Sequence, residues 1–391
     1  MSCQHPEALR AGAARVLRKL AHGVAGARTG AVEAATVEAL SPQRAQQALE
    51  RAITTIEKES GKPLDAGSRE ELTRLFTEDG VRAIEELKRA GVNAQLDPRQ
   101  EDALEAIVEQ DGSRPTIPVS ENDEIDVKDE NLGQWQAVTE KFSSQISAVA
   151  SSVGRIDVDG RHQGTGFVVK DRFILTNRHV LQGLAVPDGA GDWTFKGQPT
   201  ITFDANPAEN RARQFAIRKR VVLAGPQAID RFNIDLTKLD FAILECEADG
   251  GITFPAPLPL ESDADKVVVG RPVFVLGYPA APAAGVYTSD VLNRLFRHRY
   301  GVKRFAPGEI DRGLGGAADG TGETVFAHDA TTLGGNSGSC VVDFGNDGQL
   351  VVGLHFAGAP KLANYAHANA RLQPALANLG LLWKDWISRE L

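Results

Sequence analysis

Cysteine is scarce in this sequence: only Cys3, Cys246 and Cys340 occur among 391 residues. Three cysteines at such wide spacing predict no disulfide framework of the kind that holds many secreted proteins together. Cys246 and Cys340 each lie in or beside an apolar run, so we expect both to be buried as small hydrophobic side chains. The first 20 residues also lack a continuous apolar core and a signal-cleavage pattern. We therefore expect a cytoplasmic protein.

Long apolar runs are missing as well, and positive charge is in deficit. No uninterrupted apolar stretch approaches the roughly 20 residues that a helix needs to span a bilayer. Asp and Glu number 52 against 43 Lys and Arg, which gives a formal net charge of −9. This balance argues against general affinity for nucleic acid or for anionic membranes.

Aromatic residues are almost absent from residues 1–112, which are rich in Ala, Leu, Glu and Arg. Apolar residues recur there every three to four positions, and this spacing predicts a small helical domain. One helix is expected to begin at Ser41-Pro42 and to end near Gly61. Another is expected to begin at Ser68, because Glu71 completes a capping box. A mere packing appendage and a module that regulates the protein or recruits a partner protein both remain open as its role.

Residues 113–130 combine Pro115 and Pro118 with closely spaced acidic residues. Proline and like charge disfavour packed structure, so we interpret this segment as a solvated linker. Residues 132–142, which include Trp135 and Phe142, predict a helix that docks onto the next domain. That domain is expected to occupy residues 131–391.

A serine stands between glycines in residues 333–340, where Gly335 and Gly338 flank Ser337. Glycine adopts backbone angles that other residues resist, so the chain can bend sharply and a substrate can approach closely. Such a bend can direct the backbone N–H groups of Gly335 and Ser337 toward one point, as an oxyanion hole requires. Taken alone, the stretch also fits a surface turn between two strands.

A histidine and a carboxylate farther upstream are the partners that a nucleophilic serine needs. His179 follows two apolar runs that predict a β-hairpin around residues 170–172. Asp240 stands at the start of another apolar run, and Asp235 is a rival carboxylate nearby. We prefer Asp240 because an apolar strand follows it directly. His179 is then the predicted base, Asp240 the group that orients it, and Ser337 the nucleophile.

These segments resemble the serine peptidases of the trypsin/chymotrypsin fold, in the bacterial branch that includes the glutamyl endopeptidases. The similarity spans about residues 145–375 and rests on four segments: a histidine motif at 176–180, an aspartate strand at 239–244, a nucleophile loop at 335–339 and a substrate-pairing strand at 352–358. Asn177 and Arg178 depart from the small residues that usually precede the histidine.

The resemblance implies a multidomain α and β protein, in which the N-terminal helical domain precedes a trypsin-like serine protease domain of two β-barrels. The barrels are expected at about residues 145–250 and 265–372, with His179 and Asp240 from the first and Ser337 from the second. A serine endopeptidase of this kind acts on protein or peptide substrates and needs no metal or cofactor. The alternative is a catalytically silent protease fold that binds peptides or partner proteins.

The resemblance also bears on substrate choice. Trypsin-like members carry an acidic residue six positions before the serine, and Thr331 at that place argues against a preference for basic residues. Thr332 and His355 are similar to residues of the glutamyl endopeptidases, while Phe356 and Gly358 lie on the expected substrate-binding strand. A hydroxyl and an imidazole can bind a carboxylate, so cleavage after an acidic residue is one expectation. A buried core role for His355 remains the other.

A basic insertion lies between Pro279 and Thr324, with Lys303 and Arg304 near its end. A solvated or internally paired face is the simpler interpretation. The alternative is a patch that steers acidic peptides toward the cleft. Asn336, immediately before Ser337, replaces the aspartate that trypsin-type zymogens pair with a new amino terminus, so that form of activation is not expected.

Overall fold

The computed structural model describes residues 63–90, 114–188, 192–217, 220–230, 235–247, 251–281, 299–315, 323–346, 348–359 and 363–384, with Gln100 and scattered positions between 42 and 57. In the N-terminal part, α1 (Ala66–Thr73) continues through a π-helical turn (Arg74–Asp79) into α2 (Gly80–Ala90). Within the described ranges, no helix is both long and apolar enough to cross a membrane.

The start of α1 differs from the capping-box prediction. The carboxylate of Asp65 accepts hydrogen bonds from the backbone N–H of Ser68 at 2.9 Å and from its hydroxyl at 2.7 Å. Asp65 is therefore the residue that satisfies the free N–H groups of the first turn, and Ser68 already lies inside the helix. Phe76 and Ile84 are buried, as the apolar spacing predicts. The helix expected over residues 41–61 lies largely outside the described residues.

The first β-sheet has seven strands in the order β8-β7-β2-β3-β4-β10-β9 and is curled without closing in the described residues. Its strands are β2 (Val153–Val158), β3 (Arg161–Lys170), β4 (Phe173–Thr176), β7 (Pro199–Thr202), β8 (Gln214–Ala216), β9 (Arg220–Ala224) and β10 (Ala242–Glu245). A separate pair is formed by β5 (Ala185–Pro187) and β6 (Trp193–Phe195).

The second β-sheet closes on itself. Its order is β1-β12-β11-β14-β15-β16-β13, and β12 also pairs with β13, so six strands form a barrel with β1 at its edge. The strands are β1 (Ile117–Pro118), β11 (Pro272–Gly277), β12 (Arg304–Arg312), β13 (Val325–His328), β14 (Cys340–Asp343), β15 (Leu350–Ala359) and β16 (Ala363–Ala368). The expected arrangement of two barrel-like sheets is thus confirmed.

Short helices cover the ends of the sheets. They are α3 (Gln136–Lys141), α4 (Ser143–Ser151), α5 (Arg178–Leu184) and α6 (Asn369–Leu376), with 3₁₀ turns at Glu130–Trp135, Ala264–Lys266, Phe344–Asn346 and Ala377–Leu379. Trp135 and Phe142 are buried against Phe344, which directly follows β14 of the second sheet, and this confirms that the helical stretch docks onto the β domain.

The strands that lie where the two sheets pack against each other are buried on both faces. Their sequences are therefore continuous hydrophobic runs. On β3, Phe167 and Val169 enter the large core shared by the sheets, while Val168 enters the interior of the first sheet. On β14, Val342 enters the shared core and Val341 the interior of the second barrel. The alternation has the period of two that a β-strand imposes.

The structure corrects three strands that the sequence pattern predicts. The pattern of residues 146–158 is strand-like, but the strand begins only at β2, because residues 143–151 form α4. Residues 215–224 predict one strand, which is divided between β8 and β9. A β region is predicted to start at Lys266 and to continue to Leu276; β11 forms in its second part, whereas Val268 and Val269 before it are about half exposed, at 50% and 51%. Apolar β-branched residues alone therefore did not identify pairing strands, since pairing also requires a neighbour.

The predicted solvated linker is wrong for residues 114–129, which we name the strap. Arg114, Ile117, Val119 and Ile125 of the strap are buried, and β1 within it pairs antiparallel with β12. Asp123 is buried too, because its carboxylate pairs with Lys303 at 2.5 Å and with Arg213 at 2.7 Å. The strap is therefore packed onto the β domain, although its sequence is acidic and proline-containing.

The end of the basic insertion is not a solvated face either. Lys303 is fully buried, and its ammonium donates to the carbonyl oxygens of Ala150 and Phe203 as well as to Asp123. Arg304 is buried and donates to the carbonyl oxygen of Thr116 at 2.9 Å. Of the predicted alternatives, internal pairing describes these two residues. The insertion's other basic residues up to His298 lie outside the described residues.

Candidate active site

His179 stands in the first turn of α5, directly after β4. Its ring Nδ1 lies 2.6 Å from Oδ2 of Asp240, and its backbone N–H donates to Oδ1 at 2.9 Å. Because Nδ1 faces a carboxylate, it carries the ring proton and leaves Nε2 as the basic nitrogen. The rival Asp235 instead accepts hydrogen bonds from Thr237. Asp240 is therefore the carboxylate that contacts His179.

The backbone of Asp240 is held from two sides. The side-chain amide of Asn177 donates to its carbonyl oxygen at 2.9 Å, and its N–H donates to Nε2 of His367 at 3.0 Å. Burial lowers the pKa of His367 to about 4, so the ring is neutral and can accept this bond. Phe356 is buried and stacks on His367 with ring centroids 4.3 Å apart. The sequence alone gave no indication of His367.

The bend around Ser337 depends on both neighbouring glycines. Gly335 and Gly338 each have φ of +91°, in the region that side-chain-bearing residues rarely adopt. A Cβ at Gly338 would lie 1.9 Å from the carbonyl oxygen of Thr165, and one at Gly335 would lie 2.6 Å from that of Tyr278. Any larger residue would therefore collide with backbone at both positions.

Thr165 of β3 links the first sheet to this loop and is fully buried. Its N–H donates to the carbonyl oxygen of Ser337 at 2.8 Å, and its hydroxyl donates to that of Gly335 at 2.8 Å. The same hydroxyl accepts the N–H of Tyr278 at 3.1 Å. The loop that carries Ser337 is thus fixed to both sheets.

Two N–H groups of this loop stay open. The N–H groups of Asn336, Gly338 and Ser339 donate to the carbonyl oxygens of Leu333, His355 and Asn336. In the described part of the chain, the N–H groups of Gly335 and Ser337 donate to no protein group. An incoming oxygen could therefore accept hydrogen bonds from both.

Ser337 and the turn of His179 lie on either side of Gly164. A Cβ at Gly164 would be 3.0 Å from the carbonyl oxygen of Ser337 and 2.7 Å from Cγ2 of Val180, the residue after His179. Within the described residues no hydrogen bond joins the Ser337 hydroxyl to the His179 ring. Such bonds are often long without substrate and shorten in the complex.

The predicted pocket residues come from two neighbouring segments. The hydroxyl of Thr332 donates to Oδ1 of Asn364 at 2.6 Å, and a Cβ at Gly358 would lie 2.6 Å from the same oxygen. Gly358 is exposed on β15, whereas Phe356 faces inward onto His367. The structure thus brings Thr332 and Gly358 together and adds Asn364, which sequence reasoning missed.

His355 is fully enclosed beside Ser337. Its backbone pairs with the nucleophile loop. The N–H of Gly338 donates to the carbonyl oxygen of His355, and the N–H of His355 donates to the carbonyl oxygen of Ser339. Its ring nitrogen Nδ1 lies 3.2 Å from Nε2 of His328. Burial is the main cause that holds the pKa of His355 well below its usual range. The imidazoles of His328 and His179 lower that pKa further. The ring is therefore neutral in the absence of a bound anion.

Comparison with known proteins identifies relatives. A family model described as a trypsin-like peptidase domain matches residues 164–354. A probable serine protease of Lysobacter enzymogenes is 33% identical over an alignment of 307 residues, and the match covers 73% of this chain and 77% of that protein.

Similar solved structures have lower identity. The Rv3671c protease of M. tuberculosis in its inactive form is 22% identical, covers 62% of this chain and 95% of its own, and gives a TM-score of 0.36. Human heparin binding protein is 16% identical, covers 59% of this chain and 92% of its own, and gives a TM-score of 0.41. From the family match and the identity shared with the Lysobacter protein, this chain belongs to the trypsin-like serine protease family.

Proposed function

We propose that this protein is a serine endopeptidase in which Ser337 attacks the carbonyl carbon of a peptide bond. The observation that carries the proposal is the His179–Asp240 contact at 2.6 Å, beside a loop that leaves the N–H groups of Gly335 and Ser337 open. A base held by a carboxylate and a pair of free donors are what acyl transfer to a hydroxyl requires.

In the first step, Nε2 of His179 takes the proton of the Ser337 hydroxyl as its oxygen bonds to the carbonyl carbon. The imidazolium then gives that proton to the leaving amine, and the peptide bond breaks to leave an acyl-enzyme. Water attacks the ester in the reverse sense and releases the acid. Asp240 holds the ring and stabilises its positive charge throughout.

The negative oxygen of each tetrahedral intermediate would be stabilised by the N–H groups of Gly335 and Ser337. In comparable sites the loss of one such donor costs roughly 3–4 kcal/mol of transition-state stabilisation. No metal or cofactor has a role in this mechanism.

We extend the proposal to substrate choice: the residue before the scissile bond is acidic, as in the glutamyl endopeptidases that the sequence resembles. Support comes from His355 on β15, whose backbone pairs with the nucleophile loop, and from Thr332 in the segment that leads into that loop. A substrate carboxylate could accept a hydrogen bond from the neutral imidazole of His355. Its negative charge would also favour the protonated form of that imidazole, which burial disfavours. A peptide-library digest checks this, and cleavage mainly after apolar or basic residues would overturn it.

The role of residues 1–112 and the compartment are proposed from the sequence. We assign the helical region to regulation or partner recruitment, and we place the protein in the cytoplasm because of its few cysteines. Peptidase rates of the full chain and of a chain beginning at residue 113 test the first assignment, and equal rates would exclude inhibition by this region. Cell fractionation tests the second.

Labelling with a serine-directed fluorophosphonate tests the main proposal. The wild-type protein should be labelled and should hydrolyse peptides, and Ser337→Ala should abolish both. Ser339→Ala is the matched control, because Ser339 is buried in the same loop and hydrogen-bonds only inside the protein.

A catalytically silent module that binds peptides is the second candidate. It is favoured by one observation, the missing hydrogen bond between Ser337 and His179 in the described residues. Absence of labelling in folded wild-type protein that still binds peptides would establish this alternative.

A further inference from the structure

Arg114 of the strap is a buried cation that the mechanism above does not use. Only 2% of its surface is exposed. Its Nε lies 2.6 Å from Oδ1 of Asp329 and its Nη2 lies 2.7 Å from Oδ2, so the guanidinium and carboxylate form a two-point ion pair. This geometry is directional and strong, because both hydrogen bonds are charge-assisted. The two residues are 215 positions apart in the chain.

Asp329 begins the segment that leads from β13 to the Ser337 loop. We name residues 329–333 the pocket segment. Asp329 exchanges backbone and side-chain hydrogen bonds with Glu309 of β12, at 3.0 and 2.8 Å. Farther along, the hydroxyl of Thr331 donates to the backbone carbonyl of Arg114 at 2.8 Å. Arg114 therefore holds the pocket segment through its side chain at one residue and through its backbone at another.

The position of the pocket segment decides where Thr332 lies. Asn364 of β16 donates to the carbonyl oxygen of Ala330 at 2.9 Å and accepts the hydroxyl of Thr332 at 2.6 Å. The carbonyl oxygen of Leu333 accepts the N–H of Asn336, directly before Ser337. A displacement at Asp329 would therefore be passed to the pocket wall and toward the nucleophile loop.

Charge makes this arrangement dependent on Arg114. Glu309 and Asp329 are neighbouring carboxylates in a buried environment, and Nη2 of Arg114 also lies 3.7 Å from Oε2 of Glu309. Burial raises the pKa of Glu309 to about 7, and Arg114 opposes that rise. The guanidinium carbon of Arg114 lies over the Trp135 ring, 5.5 Å from the ring centroid. Without the cation, Asp329 would lose its counter-charge, and Glu309 would bind a proton more readily, so the charges that hold the pocket segment in place would be gone.

We propose that Arg114 is a specificity-determining positioning residue: through Asp329 and Thr331 it fixes the pocket segment, and with it the pocket wall at Thr332. The strap is then part of the substrate-selecting structure, although every strand except its own β1 follows it in the chain. The inference rests on the proposed function, because the wall selects substrates only if the protein is a peptidase.

The test uses the full chain with Arg114→Gln, Arg114→Lys and, as matched control, Arg271→Gln. Arg271 is also paired with a buried carboxylate: its Nε and Nη2 contact Oδ2 of Asp343, at the end of β14 away from Ser337. We expect Arg114→Gln to lower kcat/KM for the preferred peptide by about 10- to 100-fold, the range seen when a substrate is slightly misplaced. Its preference over a peptide changed only at the residue before the scissile bond should also shrink. Arg271→Gln should retain that preference.

A second measurement does not depend on activity. Hydrogen exchange of the backbone amides in residues 329–333 should be faster in Arg114→Gln than in wild type and unchanged in Arg271→Gln. If Arg114→Gln does not fold, Arg114→Lys decides, because lysine keeps the charge but loses the two-point fork. Lysine should cause the same loss of preference to a smaller degree.

The outcomes separate the inference from the proposed function. Equal substrate preference and equal exchange in the Arg114 and Arg271 variants would overturn the inference even in an active peptidase. A wild-type protein that neither hydrolyses peptides nor reacts with a fluorophosphonate would overturn the proposed function, and with it the specificity role. In that case the exchange data still report whether Arg114 fixes the pocket segment.

Discussion

The hydroxyl of Thr165 on β3 donates a 2.8 Å hydrogen bond to the carbonyl oxygen of Gly335 in the nucleophile loop. The N–H of the same residue holds the carbonyl of Ser337. These two bonds fix the loop on both sides of Asn336, so a residue of the first sheet determines how the loop of the second presents its open N–H groups.

Replacing Thr165 by valine should reduce turnover. Valine keeps the shape but lacks the hydroxyl, so the carbonyl of Gly335 and the N–H of Tyr278 lose their partner. We expect kcat to fall about tenfold, which corresponds to about 1.4 kcal/mol, with KM little changed. Thr165→Ser keeps the hydroxyl and is the matched control. Steady-state kinetics that rank the two variants equally would contradict the assigned role.

Stability should depend on pH through buried histidines. Burial lowers the pKa of both His328 and His367 from 6.5 to about 4. As the pH falls, the unfolded chain binds these protons before the folded protein does, so the free energy of unfolding decreases between about pH 6.5 and 4 and levels off below. Above pH 7 both histidines are neutral in the folded and unfolded states, so they no longer make the free energy of unfolding depend on pH. Denaturant titrations across pH 4–8 measure it.

A single substitution tests the same dependence. His328→Phe keeps a ring in the buried site but cannot bind a proton. The slope of stability against pH between 4 and 6.5 should then be smaller by up to about 1.4 kcal/mol per pH unit. An unchanged slope would show that His328 is not protonated differently in the folded and unfolded states.

The strap should contribute to global stability through Asp123. Asp123→Asn removes the carboxylate that pairs with the buried Lys303 and with Arg213. Leaving such cations without their partner should cost about 3–5 kcal/mol of unfolding free energy. Glu124→Gln, an equal charge change at an exposed neighbour, should stay within about 0.5 kcal/mol of wild type. Guanidinium unfolding of both variants distinguishes the two, and similar midpoints would refute the anchoring role.

The two described cysteines should be inert in the folded protein. Cys246 and Cys340 are free and buried, and burial raises the pKa of the Cys340 thiol to about 12 and that of Cys246 further still. Since the thiolate is the reactive form, native protein at neutral pH should not be alkylated at either position. Peptide mapping after iodoacetamide treatment, with and without urea, checks this. Rapid native modification of Cys340 would mean that its strand opens readily.

Sequence reasoning succeeded where chemistry and local pattern coincide. The hairpin before His179 forms between β3 and β4, with Asp171 in the turn at φ of +38°. Asp240 contacts His179 because the apolar strand that follows it, β10, pairs with β4 and so fixes its place next to the turn after β4. The glycines around Ser337 have the backbone angles that their identity predicts.

Other residues of the site could not be found in this way. Some of these residues act through contacts with residues far away in the chain, and local sequence spacing does not predict such contacts. They are Thr165, Asn364 and His367. Thr165 does stand between Gly164 and Gly166, and this pair of small residues next to a β-branched hydroxyl was the only available signal. Its partners became visible only when the two sheets were packed together.

The solvated interpretations of the strap and of the basic insertion have one cause. Charged residues in polar stretches are usually exposed, so Arg114 and Asp123 were expected in solvent, whereas Lys303 was expected to be either solvated or internally paired. Each is instead neutralised by an opposite charge that is between 90 and 215 residues away. Composition describes a segment's own charge but not the charge that folding brings to it.

Asp123 receives Arg213 beside β8 and Lys303 beside β12, so one carboxylate is clamped between the two halves of the molecule. Movement of one half against the other would have to break at least one of these two ion pairs, and a buried charge that loses its partner is strongly destabilising. Rearrangement of the Ser337 loop alone would leave both pairs intact, so we expect it to cost less free energy than separation of the halves.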